Sequence, residues 1–274
     1  MLLQDLILTT VVRYADKTAL SDRGSRYSYH EMACRLVGFA QALRKLGIQP
    51  QDRVAVFLDK QVETVATLFG TGAAGGIVVP CNPALKGHQL AHILKDTQAR
   101  VLVTTAARYQ RAKVDIDSCG VETLLFVDEV PAPLRDSGVG RLWSETVSVP
   151  RLWANSDVRP GTESDIAAIL YTSGSTGLPK GVTLSHRNLV VGAESVASYL
   201  HNDVNDVILA LLPLSFDAGL SQLTTGFHSA ATIVLHNYFT PIEVARVCAR
   251  EGVTGITAVP PLWMQLLRVA WPAA

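Results

Sequence analysis

Apolar residues recur every three or four positions along several stretches of the chain, and short apolar runs lie between those stretches. The first clear stretch covers residues 29–46 and ends just before Gly47. Its regularly spaced apolar residues are Met32, Leu36, Phe39, Leu43 and Leu46. This spacing places them on one face of a helix, and glycine commonly terminates helices. We therefore predict an amphipathic helix that packs against a core.

The short apolar runs have the branched residues typical of buried strands. In the first half they are RVAVFL (53–58), GIVVP (76–80), RVLVT (100–104) and TLLFV (123–127). In the second half they are IAAIL (166–170), VILALLP (207–213), TIVLH (232–236) and VTGITAVPP (253–261). Helical segments separate most of them, with Ser185 placed to cap one helix and Pro241 to open another. This alternation predicts an α/β fold, layered, with mostly parallel sheets.

The alternation is interrupted between residues 131 and 162, where four prolines stand among polar residues without sustained periodicity. Such a stretch is typical of a long connection. We predict a first α/β subdomain with its linker over residues 1–160, and a partial second subdomain over residues 161–274. A length of 274 residues is compatible with two lobes.

The composition of the chain argues against several classes of protein. The chain has 24 basic and 24 acidic side chains, so no net field attracts nucleic acid or an anionic membrane. Its four cysteines form no CxxC pair, which favours buried thiols over a zinc site or a disulfide framework. No apolar stretch reaches membrane-spanning length, and no signal peptide is recognisable at the amino terminus. We expect a cytoplasmic protein with no nucleic-acid partner.

One segment, YTSGSTGLPKGVTLSH at residues 171–186, combines glycines, hydroxyl side chains and a lysine. Glycines let backbone N–H groups point into one cavity, hydroxyls add donors and lysine adds charge, which together suit a phosphate chain. If this segment lies between a buried strand and the amino terminus of a helix, that position also favours phosphate binding. The segment is not a Walker A loop, because Pro179 and Gly181 stand where that motif needs glycine and Ser or Thr. A solvated loop is the alternative that composition alone leaves open.

The order of residues in YTSGSTGLPKGV closely resembles the phosphate-binding signature of the adenylate-forming superfamily. That superfamily includes acyl-CoA synthetases, nonribosomal peptide adenylation domains and luciferases. Further stretches resemble its motifs in the right order, namely YSYHEM (27–32), GTGAAGGIVVPCNPAL (70–85), LLPLSFDAGL (211–220) and VPPLWMQLL (259–267). The resemblance covers nearly the whole chain.

The resemblance implies a loop that closes on the β- and γ-phosphates of ATP with Mg²⁺. The residues carried over are Thr172, Ser173, Gly174, Ser175, Thr176, Gly177 and Lys180. Lys180 and Thr172 would be the catalytic residues. Lys180 would act through its charge, which offsets negative charge while a carboxylate attacks the α-phosphate. The implied reaction gives an acyl-adenylate and pyrophosphate, and then a thioester with coenzyme A or with carrier-protein phosphopantetheine.

The resemblance also places Phe216, Asp217 and Gly219 in the substrate-binding segment. Many acyl-CoA synthetases have histidine where this chain has Phe216, whereas amino-acid adenylation modules read FD and use the aspartate to bind an α-amino group. Asp217 would then pair with a substrate ammonium, or it would only cap a helix that starts near Ala218. The segment SFDAGLSQLTTGF also resembles the AMP-ligases associated with exosortase systems. Which carboxylic acid is activated stays open.

The family's later motifs do not occur, and members are about twice as long. The chain therefore resembles an amino-terminal portion without the carboxy-terminal lid domain, and we expect it to be inactive or nearly so alone. A non-catalytic remnant that binds a ligand or partner is a further alternative. Outside these motifs, His88 and His92 stand four residues apart, for which a solvated helix face is favoured over a metal site.

Overall fold

The computed structural model describes residues 1–172 and 179–272, in which the chain forms two sheets with helices packed against them. The strands are β1 (Thr18–Asp22), β2 (Ser25–Ser28), β3 (Arg53–Val56), β4 (Ile77–Pro80), β5 (Val101–Thr104), β6 (Thr123–Phe126), β7 (Gly140–Leu142), β8 (Ile166–Thr172), β9 (Lys180–Ser185), β10 (Val207–Ala210), β11 (Thr232–Leu235) and β12 (Gly255–Ile256). The helices are α1 (Asp5–Leu8), α2 (Val11–Tyr14), α3 (Tyr29–Lys45), α4 (Val62–Ala73), α5 (Gly87–Thr97), α6 (Ala106–Asp117), α7 (Trp143–Thr146), α8 (His186–Leu200), α9 (Asp217–His228), α10 (Pro241–Glu251) and α11 (Pro260–Leu266).

The larger sheet has seven strands in the order β7-β6-β5-β3-β4-β8-β9, and the smaller has five in the order β12-β10-β11-β1-β2. Neighbours are parallel except for β1–β2 and β8–β9, which are antiparallel. The predicted α/β architecture with mostly parallel sheets is therefore confirmed. The apolar runs identified in the sequence supply the central strands of both sheets.

The long helices follow their sequence signals closely. Helix α3 begins after Ser28, whose hydroxyl accepts from the Glu31 backbone N–H while the Glu31 carboxylate accepts from the Ser28 N–H. This reciprocal capping box satisfies two backbone donors at the helix start. Ser185 caps α8 and Pro241 opens α10, both as predicted.

Five short elements differ from expectation. Residues 140–146 of the predicted connection form β7 and α7, and Trp143 stacks on Phe39 of α3 with ring centroids 4.9 Å apart. The final predicted strand is reduced to the two residues of β12. Strands β1 and β2 were not predicted, because their short, largely polar sequences carry no apolar run.

Strand pairing crosses residue 160 in both directions. Strands β8 and β9, beyond that residue, join the larger sheet, while β1 and β2, near the amino terminus, join the smaller one. Leu20 of β1 pairs with Ile233 of β11 in parallel register. The subdomain boundary at residue 160 stays a prediction, but neither sheet is built from one continuous stretch of chain.

The main core lies around α3, α4 and α9. Phe227 of α9 meets the ring edges of Phe69 and Tyr29, with centroids 5.2 and 6.1 Å away. The Tyr29 hydroxyl donates to the Ala231 carbonyl at 2.7 Å, so its buried oxygen has a partner. These aromatic contacts hold the amino-terminal helix α3 against the second half of the chain.

A buried histidine fixes the amino terminus to the same core. The Leu3 N–H donates to Nδ1 of His186 at 3.0 Å, which requires a neutral ring with its proton on Nε2. Burial lowers the pKa of His186, and the carboxylates of Asp165 and Asp5 oppose that shift only partly. The fold thus gives His186 a structural role.

This anchor makes stability depend on pH. The folded state resists protonation of His186, whereas the unfolded chain takes up the proton below a pH of about 6.5. The stability that neutral His186 contributes to the fold is therefore complete above that pH and is lost as the pH falls below it. We expect the urea midpoint of the wild type to drop more between pH 7.5 and 5.5 than that of His186→Asn, whose amide oxygen can still accept from Leu3. Equal drops would contradict the assignment of this pH dependence to His186. Burial also lowers the pKa of His236, but His236 is present in both proteins and so does not affect the comparison.

Candidate functional site

The carboxyl ends of parallel strands from both sheets face a common cavity. Its volume is about 460 Å³. It is lined by the segments that follow β3 (residues 58–60), β4 (81–84), β10 (211–215) and β11 (237–238), and by α11. Crevices beyond the carboxyl ends of parallel strands are where α/β proteins commonly bind ligands. The walls are mostly apolar, with few polar groups.

Lys60 is the charged residue of this wall that is most deeply buried, with only 7% of its surface exposed. Its ammonium donates to the carbonyls of Leu211 at 3.0 Å and Leu212 at 3.5 Å. Its backbone exchanges hydrogen bonds with the Asn237 side chain, at 3.0 Å from the Lys60 N–H and 2.9 Å to the Lys60 carbonyl. Lys60 thus ties the end of β3 in the larger sheet to the ends of β10 and β11 in the smaller one.

Burial lowers the pKa of Lys60 to about 8, although the neighbouring Asp59 carboxylate raises it. The group is therefore mostly a cation near neutral pH but is readily deprotonated above it. Sequence reasoning missed Lys60. The available signal was a lysine two residues after a buried apolar run, but the carbonyl groups that it contacts lie about 150 residues further along the chain.

Ser215 and Cys81 are two further residues among those that line the cavity. Ser215 is 6% exposed, and its hydroxyl has no hydrogen-bond partner among residues 1–172 and 179–272. Cys81 is buried at the end of β4, and burial raises the pKa of its thiol to about 12. A thiol that stays protonated is a poor nucleophile, so Cys81 contributes packing, and Ser215 is the free hydroxyl of the cavity.

The glycine-rich segment leaves the larger sheet beside this region. Thr172 ends β8, Lys180 begins β9, and the two residues are directly opposite in the antiparallel ladder. Both side chains are exposed. Five of the predicted phosphate-binding residues lie outside the described residues, namely Ser173, Gly174, Ser175, Thr176 and Gly177. The phosphate-binding assignment of the whole segment stays a prediction.

One expectation about this loop is wrong. The segment joins two antiparallel strands, not a strand and a helix, because residues 180–185 form β9 before α8 begins at His186. Six residues of extended chain span about 20 Å, so the amino terminus of α8 lies about that far from the start of β9. The helix dipole of α8 therefore does not favour an anion there, and the charge of Lys180 is the local cation that the described stems provide.

The segment after β10 leads into α9. Phe216 is the N-cap residue of α9 and is 45% exposed, and Asp217 is the first residue of the helix and is also exposed. Neither side chain lines the 460 Å³ cavity. The helix starts at Asp217, and its N-cap makes no side-chain hydrogen bond. The alternative that Asp217 caps α9 is therefore wrong, while substrate binding by Phe216 and Asp217 stays a prediction.

Gly219, also predicted in the substrate segment, has a structural reason to be glycine. A Cβ atom at this position would lie 1.9 Å from the Pro213 carbonyl oxygen and 3.2 Å from that of Leu212. The first turn of α9 thus presses against the backbone that forms the cavity wall. Gly219 shapes this wall through its lack of a side chain.

Residues 8–273 match the family model described as AMP-binding enzyme. The chain belongs to this family of AMP-binding enzymes. Its large-domain fold and its motifs are those of adenylate-forming ligases, as the resemblance of residues 171–182 implied.

Relatives of this AMP-binding chain include two classes of ligase. The long-chain-fatty-acid–CoA ligase of Bacillus subtilis is 26% identical over 97% of the chain and 51% of its own length. Tyrocidine synthase 3 of Brevibacillus parabrevis is 31% identical over 99% of the chain and 4% of its own length. The ATP-bound crystal structure of MatB from Rhodopseudomonas palustris superposes with a TM-score of 0.80 and 26% identity, over 98% of this chain and 52% of that one. The AMP-binding chain spans about half the length of the acyl-CoA ligase that it matches.

The described residues contain neither a metal-binding cluster nor a membrane-spanning helix. Within residues 1–172 and 179–272, no group of three or more His, Cys, Asp or Glu side chains is arranged to hold a metal ion. In the same part of the chain, no helix is long and apolar enough to cross a bilayer.

Proposed function

We propose that this AMP-binding chain contributes the phosphate-binding loop and part of the reactant cleft to an enzyme that activates a carboxylic acid with ATP. The product would be an acyl-adenylate with release of pyrophosphate, followed by a thioester with coenzyme A. The observation that carries the proposal is the position of Thr172 and Lys180 at the two stems of the glycine-rich segment, in a chain of this family.

The chain's own residues suit the charges of this reaction. A carboxylate that attacks the α-phosphate of ATP meets negative charge, and the leaving pyrophosphate carries more. Lys180 would offset that charge at the loop, and Mg²⁺ bound to the phosphates would offset more of it. Thr172 would donate its hydroxyl to a phosphate oxygen from the opposite stem. The apolar walls of the cavity would exclude water from an uncharged part of a bound reactant.

An amino-acid adenylation module that loads a carrier protein is the second candidate. The observation that favours it is Asp217, an exposed carboxylate at the start of α9 beside Phe216 in place of histidine. A substrate ammonium could pair with that carboxylate. The relation to tyrocidine synthase 3 supports this reading at the level of sequence.

The test is carboxylate-dependent exchange of labelled pyrophosphate into ATP. It compares this chain with a longer version continued through the coding sequence that follows, with fatty acids and amino acids as substrates. We expect exchange only in the longer version, because correct positioning of reactants can contribute about 7–11 kcal/mol to lowering a barrier. Exchange with amino acids and loading of a carrier protein would select the second candidate. Exchange in neither chain would indicate a non-catalytic remnant.

A further inference from the structure

Helix α5 contacts both stems of the glycine-rich segment. On the incoming stem, the Tyr171 hydroxyl donates a hydrogen bond to the Asp96 carboxylate. On the outgoing stem, Nε2 of His92 lies 3.0 Å from the carbonyl oxygen of Pro179. His92 and Asp96 are four residues apart, so both side chains project from the same face of α5.

The protons in these contacts can be assigned. A carbonyl oxygen only accepts hydrogen bonds, so Nε2 of His92 carries the proton and donates it to Pro179. Tyr171 is 8% exposed, and burial, followed by the Asp96 carboxylate, raises the pKa of its hydroxyl. The hydroxyl therefore keeps its proton at physiological pH and donates it in the hydrogen bond to Asp96. Each stem has one directional bond to the same helix.

Packing joins the two contacts into one unit. The His92 ring meets the Tyr171 ring edge to face, with centroids 6.3 Å apart and planes at 85°. Tyr171 is directly opposite Gly181 in the β8–β9 ladder, and a Cβ on Gly181 would lie 3.1 Å from the Tyr171 ring. Gly181 thus leaves room for the ring that connects both stems to α5. Leu90, Ile93 and Leu94 of α5 belong to the same apolar cluster as Tyr171.

We propose that His92 and Asp96 are positioning residues, which hold the two stems of the glycine-rich segment at a fixed separation and so set where Thr172 and Lys180 stand. Stem residues that are already fixed lose less conformational freedom when Thr172 and Lys180 contact a ligand. The inference rests on the proposed function only for the ligand, which is the phosphate chain of ATP. The stem contacts themselves are independent of it.

The test compares three variants of this chain at His92 and His88. His92→Ala removes the donor, and His92→Gln offers an amide donor of similar reach. His88→Ala is the matched control, because His88 is exposed on the same helix and makes no hydrogen bond within the described residues. Hydrogen exchange of the β9 amides and the Kd for Mg·ATP are measured for each variant, together with the thermal midpoint.

We expect His92→Ala to speed exchange in β9 about 5-fold and to weaken ATP binding by a similar factor, as the loss of one hydrogen bond implies. His92→Gln should lie near the wild type, and His88→Ala should match it. Unchanged β9 exchange in His92→Ala would overturn the proposal. So would faster exchange spread evenly over α6 and β5, since that pattern reports general loosening. If this chain binds no ATP, the β9 exchange data still decide the role of His92, and pyrophosphate exchange in the longer version decides the proposed function separately.

Discussion

If the longer version of the protein has the proposed activity, replacing Lys180 by alanine should lower its rate of acyl-adenylate formation by about 10²- to 10³-fold. Under the proposed function, the charge of Lys180 would act while negative charge builds up between the attacking carboxylate and the leaving pyrophosphate. Removal of one preorganised electrostatic contact to a transition state commonly has an effect of this size. Lys180 is exposed at the start of β9, so its removal leaves no cavity in the core.

Pyrophosphate exchange at saturating substrates measures this loss directly. If Lys180 acts in the transition state, kcat should fall much more than the KM for the acid changes. Lys180→Arg keeps a positive charge and should retain part of the rate. Lys45→Ala is the control, since Lys45 is an exposed lysine at the end of α3, away from the loop. A loss of less than about 3-fold in Lys180→Ala would remove Lys180 from the catalytic set.

Replacing Gly219 by alanine should destabilise the fold by about 3 kcal/mol or more. The added methyl group would lie 1.9 Å from the Pro213 carbonyl oxygen, and this neighbour is backbone that cannot rotate away. Overpacked sites typically cost about 1–3 kcal/mol, and a clash with backbone belongs at the upper end of that range. The loop 211–215, which lines the cavity, or the start of α9 has to shift.

A matched control for this substitution exists in the neighbouring helix. Gly192 lies within α8, and a Cβ there would meet no atom within 4 Å. Gly192→Ala should therefore stabilise the protein by up to about 1 kcal/mol, through the helix propensity of alanine. Urea unfolding of both variants in this chain gives the comparison. Similar midpoints for the two alanine variants would contradict the close approach of α9 to Pro213.

Elements whose signals are local were predictable from sequence. The capped helix α3 and the buried strands β3 to β6 carry their periodicity or apolar run within a few residues. Strands β1 and β9 were missed for a different reason. β1 is recruited by β11 more than 200 residues away, and β9 by its pairing with β8 across the glycine-rich segment. Such pairings depend on tertiary contacts that no local pattern contains.

The residues of the candidate site also differ in whether the sequence alone could indicate them. The order of residues from Tyr171 to Val182 was enough to identify the family, which the family match confirms; phosphate binding by this segment stays a prediction. Lys60 and His92 could not be identified from sequence, because their roles depend on the carbonyls of Leu211 and Pro179. In the sequence, nothing distinguishes His92 from His88, four residues earlier. Only the fold distinguishes a stem contact from a solvated side chain.

The pairing of β1 with β11 also sets an order of events during synthesis on the ribosome. Leu20 leaves the ribosome long before its partner Ile233. At a translation rate of about 5–20 residues per second, the delay is roughly 10 to 40 s. All seven strands of the larger sheet, which ends at Ser185, are translated within that interval. The β1–β2 hairpin must therefore wait with an unpaired edge while the larger sheet forms, and closure of the smaller sheet is the late step that joins the two ends of the chain.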